Sequence, residues 1–88
     1  MDDKLKNIEI GYQLFLEEGG RNFGAVRAVA PGGRPEIVVY IENGGNFIVP
    51  TDAVRSAHDQ KVILDPAHLD ERLRNAIAHA HDREERGL

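Results

Sequence analysis

The stretch Glu36-Ile37-Val38-Val39-Tyr40-Ile41-Glu42 runs straight into Asn43-Gly44-Gly45 and then Asn46-Phe47-Ile48-Val49-Pro50, and its reading decides the fold. β-Branched and aromatic side chains fill both apolar runs, as strands favour. The Asn-Gly-Gly segment between them tolerates positive φ, as a tight hairpin requires. A strand with one wet face alternates apolar and polar residues. Residues 37–41 do not alternate, so both faces of that strand are expected to be covered. One face points into a core. The other needs a cover, either from the rest of the chain or from a second subunit.

Outward from this hairpin, glycine and proline continue to punctuate the chain. Gly19-Gly20 and Pro31-Gly32-Gly33-Arg34-Pro35 mark turns before it. Strands are expected near residues 13–17, 23–30, 36–42, 46–50 and 61–64, a spacing that suits a small barrel. Asp59-Gln60 reads as a second, tighter turn. Gln is a poor residue for the left-handed region, which leaves an irregular turn, or one longer than two residues, as the alternative. Period-two patterning, with a bulge near Arg27, predicts a core of Leu14, Leu16, Val26, Val29, Ile37, Val39, Ile41, Ile48, Val54, Val62 and Leu64.

After Leu64 the pattern changes period. Asp65 can cap a helix and Pro66 suits its first position. Leu69, Leu73, Ala76, Ile77 and Ala80 recur at i, i+4, i+7, i+8 and i+11, one apolar stripe of an amphipathic helix over residues 66–85. Asp70–Arg74 and Asp82–Arg86 are i,i+4 pairs on its polar side. The predicted fold is mainly β: a barrel of five to six strands over residues 8–64, then one C-terminal helix. All 88 residues are read as one domain.

Composition narrows the function. With 11 basic and 15 acidic residues the net charge is −4, which lacks the broad positive field that nucleic-acid backbones select. DNA binding is not expected, nor is attraction to an anionic membrane. There is no cysteine, hence no disulfide and no thiolate chemistry. The polar start Met1-Asp2-Asp3-Lys4 has no apolar run behind it, so no signal peptide is expected. The five-residue apolar run 37–41 is far too short to span a bilayer. A cytoplasmic protein is the expectation.

The reactive constellations are weak. Gly19-Gly20-Arg21-Asn22-Phe23-Gly24 lacks the Lys-Ser/Thr of a phosphate loop and leads into a strand, so it reads as a turn with a close-packed Gly24. His79 and His81 point apart on a helix, and His81 with Glu85 makes only a two-ligand pair. His58 stands alone beside Asp59. The neighbouring carboxylates Asp2-Asp3, Glu17-Glu18 and Glu84-Glu85 point apart and do not suit shared acid–base work. Ser56, the only serine, has no nucleophile elbow around it. Arg21, Arg27, Arg34 and Arg55 could meet RNA, but packing claims most of Tyr12, Phe15, Phe23, Tyr40 and Phe47, which base stacking would need. No cofactor, metal or catalytic residue is expected.

Three pieces in this order carry a family resemblance. They are Phe23-Gly24-Ala25-Val26-Arg27-Ala28-Val29 with the strand 37–41, then Phe47-Ile48-Val49-Pro50-Thr51-Asp52-Ala53-Val54, then Val62-Ile63-Leu64. Together they resemble the PRC-barrel family, especially its small stand-alone bacterial members. The likeness covers about residues 10–64. It departs at Asp59-Gln60, where the family has Asp-Gly, and in the helix after the barrel. It implies a non-enzymatic barrel used for interaction or assembly. Related barrels occur in the cytoplasmic subunit of photosynthetic reaction centres and in a ribosome-maturation factor, so an RNA- or ribosome-associated accessory role is the alternative. The expected partner is a second copy of the chain, with a protein partner as a further possibility. The expected self-association surface comprises Val38 and Tyr40 on the outer strand face with Leu69, Leu73, Ala76, Ile77 and Ala80 of the helix.

Overall fold

The structure is a computed structural model and describes residues 7–80. Six strands form one sheet: β1 (Gln13–Phe15), β2 (Gly24–Val29), β3 (Glu36–Ile41), β4 (Gly45–Pro50), β5 (Val54–His58) and β6 (Lys61–Leu64). Helix α1 (Glu71–Ala78) follows. The strand order is β4-β3-β2-β1-β6-β5. All neighbours are antiparallel except β1 and β6, which are parallel. The sheet curls into a half-barrel, and the mainly β architecture with a C-terminal helix is the one the sequence predicts. No helix among the described residues is long and apolar enough to cross a membrane.

The hairpin read first is in register along its whole length, from Glu36 opposite Pro50 to Ile41 opposite Gly45. Asn43 takes the left-handed turn conformation at φ 64°. The β2–β3 ladder slips at Arg27, so the expected bulge is present. Gly24 is required by close approach. A Cβ there would lie 1.9 Å from the Tyr40 carbonyl oxygen, closer than any real contact. The Asn22 side chain ties this crossing together by accepting from the Gly24 amide at 3.0 Å.

Ile37, Val39, Ile41, Leu14, Val26, Val54, Val62 and Leu64 all face the interior and are buried. Three expected core residues are placed differently. Ile48 is exposed, because its partner Val38 lies on the outer side of β3 and pairing puts both on that side. Period two then carries Val49 inward instead. Leu16 and Val29 are only half-buried, since both lie at or beyond the end of a strand. Strand β5 was not predicted. Its sequence Val-Arg-Ser-Ala-His has one strongly apolar residue, and its pairing with β6 is interrupted by a bulge at Arg55. The Asp59-Gln60 turn proves to be a tight two-residue turn. Both residues have positive φ, 51° and 65°, and His58 pairs with Lys61 directly across it. Side-chain packing of the flanking strands overrides Gln60's local preference.

The C-terminal segment is not one continuous helix. Asp65 accepts from the Ala67 amide at 3.0 Å and caps only a short 3-10 turn, Pro66–His68. Leu69 is extended at φ −99° and ψ 147°. Asp70 then caps α1, accepting from the Leu73 amide at 2.8 Å. This break turns Leu69 into the core ahead of the helix. The predicted helix from 81 to 85, with the His81–Glu85 and Asp82–Arg86 pairs, lies outside the described residues.

Candidate self-association surface

Helix α1 packs on its own chain. Leu69, Leu73 and Ala80 join the same buried cluster as Leu14, Val39 and Val62. At the tip of the β3–β4 hairpin, the Asn43 side-chain amide donates to the Ala80 carbonyl at 2.7 Å. Ala76 sits so close to Gly44 that a Cβ on the glycine would approach its methyl to 3.0 Å. The Arg72 guanidinium lies 5.8 Å from the Phe47 ring centre. The stripe that demanded burial is therefore largely satisfied within one chain, on the inner side of the sheet. Ile77 and Ala76 remain half-buried. Ile77 and Leu16 together separate two shallow apolar hollows of about 280 and 180 Å3.

The predicted surface set thus divides. Leu69, Leu73 and Ala80 are interior residues, and Ala76 supports the hairpin tip. Val38 and Tyr40 stay on the outer face of β3, half-buried, and Val38 shares a hollow with Asp70 and Arg72 from the start of α1. Cross-strand pairing adds Ile48 beside Val38, Asn46 beside Tyr40, and on the other flank Ala28 beside Val38 and Ala25 beside Tyr40. The Arg27 guanidinium, displaced by the bulge, sits over the Tyr40 ring at 5.1 Å. Ile48 is 57% exposed, one of two large apolar side chains so exposed among the described residues; the other is Ile10 at 69%. Sequence reasoning assigned Ile48 to the core, so it missed the most exposed member of this face. The signal was present in the unbroken hairpin register, which ties the orientation of Ile48 to that of Val38.

The remaining polar residues are largely engaged locally. Arg34 donates to Glu36, and Arg55 lies 3.6 Å from Asp65. His58 is held between two carboxylates, with Nδ1 3.2 Å from Asp59 and Nε2 against Glu18. Both contacts raise its pKa above the usual histidine value, the Asp59 hydrogen bond most, then Glu18. Among the described residues, no three His, Asp or Glu side chains converge as metal ligands. No family model matches the chain. No curated protein and no solved structure is similar enough to match it either.

Proposed function

We infer that this chain is a non-enzymatic interaction module of the cytoplasm that assembles with a second copy of itself through the outer face of β2, β3 and β4. The observation that carries this is the exposed Ile48 set beside Val38 and Tyr40, an apolar strip left uncovered while the helix stripe is buried elsewhere. A contiguous apolar strip on an exposed sheet face marks an interaction site, as a lone exposed side chain does not. The resemblance to PRC-type barrels, a family of assembly modules, supports the same reading. A small chain with a modest core also gains stability when association buries further apolar area.

Light scattering on the full chain tests it. A mass near twice the chain's 9.8 kDa is expected at tens of micromolar. Ile48→Lys should return the mass to that of one chain without unfolding it. A monomeric wild-type protein under these conditions overturns the reading.

A further inference from the structure

Strand β4 ends the sheet on one side and β5 ends it on the other. Edge strands are normally guarded by a bulge, by charge or by proline, because their unpaired backbone groups can capture another strand. β5 has such guards: its ladder is bulged at Arg55, whose charge is exposed. β4 has six residues in unbroken register and no charged side chain. Within the strand its single guard is Pro50, at the very end.

The direction of the β4 backbone groups follows from the ladder. The Ala30 amide donates to the Glu36 carbonyl at 2.9 Å, so Glu36 bonds towards β2. Bonding alternates along an antiparallel strand. Ile37, Val39 and Ile41 therefore bond to Val49, Phe47 and Gly45. The backbone groups of Asn46, Ile48 and Pro50 face away from β3. Pro50 agrees with this, since proline is tolerated on an edge strand where its missing N–H would face outward. A hollow of about 310 Å3 lies beside this edge, lined by Val38, Asn46, Phe47 and Ile48 and bordered by Asp70 and Arg72 from the start of α1.

We propose that a second copy adds its β4 antiparallel to this edge, with Ile48 opposite Ile48, joining two six-stranded sheets into one. This mode rests on the self-association reading above but sets the contact at the β4 edge, where Ile48 is the member of the outer-face strip that reaches the seam. In that register the two Ile48 residues exchange both backbone bonds, and each Asn46 N–H donates to the Pro50 carbonyl of the other copy. Sides also match. Ile48 meets Ile48 on the outer face, where it is now exposed, and Phe47 meets Val49 on the inner face. An uncharged strand meets no like charge when a two-fold axis sets it against itself. Centring on Phe47 instead would set polar Asn46 against Ile48.

The absence of cysteine makes the register testable with one introduced thiol. Opposed Cα atoms in a hydrogen-bonded antiparallel pair are about 5.5 Å apart, inside the ~4.4–6.8 Å range a disulfide spans. Two sheets stacked face to face hold their backbones about 10 Å apart, too far to bridge. Under mild oxidation, Ile48→Cys should form at least roughly tenfold more crosslinked dimer than Asn46→Cys. A mixture of Asn46→Cys and Pro50→Cys chains should crosslink where neither does alone. On unaltered protein, the Asn46 and Ile48 amides should exchange hydrogen at least roughly tenfold more slowly in the associated state than in dilute monomer. The Phe47 and Val49 amides should be slow in both. A dimer by light scattering with no Ile48→Cys crosslink and fast Asn46 and Ile48 amides overturns the edge mode and leaves self-association standing. A monomer at every concentration overturns both. Equal crosslinking by Asn46→Cys overturns the register.

Discussion

On one half of the sheet, Phe15 and Ile63 turn away from the barrel interior, yet they are only 8% and 2% exposed. On the other half, Val38, Tyr40 and Ile48 turn the same way and Ile48 is 57% exposed. Phe15 and Ile63 pair directly across β1 and β6. Groups from three places gather on their side. The Lys61 ammonium lies 5.7 Å from the Phe15 ring, and His58 reaches from the β5–β6 hairpin to Glu18 in the loop after β1. On the β2–β4 half, Arg27 lies on Tyr40, and Asp70 and Arg72 border the hollow beside Val38 and Ile48. The strand chemistry is alike on both halves. What differs is how far the rest of the chain covers the outer face, so exposure here is not set by strand composition alone.

The largest test of this contrast is Phe15→Ala. Removing a buried ring should cost about 3–5 kcal/mol, enough to unfold much of so small a domain. Chemical denaturation would show it as a large fall in midpoint. A midpoint near wild type would mean that the β1–β6 outer face is not a second packed site. Next is Asp70→Ala, which removes the cap of the helix bordering the open half. It should cost about 1 kcal/mol and loosen Leu73 in the core. An unchanged midpoint would show that packing alone holds α1.

Ile48→Ser should change the stability of the dilute monomer by no more than about 0.5 kcal/mol, because it alters an exposed site. A loss comparable to Phe15→Ala would put Ile48 under a cover and erase the contrast. The smallest effect belongs to His58. Its pKa is raised in the folded chain by Asp59 and Glu18, so its contribution is fully present below the ordinary histidine value of about 6.5. It is lost as pH rises through the raised folded value. Wild type should therefore lose a little stability over that interval that His58→Gln does not, and the exposed setting keeps the difference small. Identical pH profiles for the two proteins would remove the Glu18–His58 contact from the account.

Much of this was legible in the sequence. The hairpin around Asn43-Gly44-Gly45, the bulge at Arg27, the close-packed Gly24 and the apolar stripe from Leu69 to Ala80 are local features, set by φ preferences and by side-chain period. Period two also identified most of the interior: Leu14, Val26, Ile37, Val39, Ile41, Val54, Val62 and Leu64. The candidate surface was legible only in part. Val38 and Tyr40 followed from the lack of alternation in β3, whereas Ile48 was placed on the wrong side and the helix residues were counted as surface.

Those outcomes were decided by tertiary structure, and the reason is common to them. An apolar run states that burial is favourable but not which neighbour provides it. The parallel pairing of β1 with β6, the contact of Glu18 with His58, and the turn of Leu69 and Leu73 into the barrel all join residues distant in sequence. Their geometry depends on the whole chain closing at once. Backbone preference and periodicity act over a few residues, so they specify the strands, the turns and the stripe; which faces are then covered is settled only when the six strands and α1 share one core.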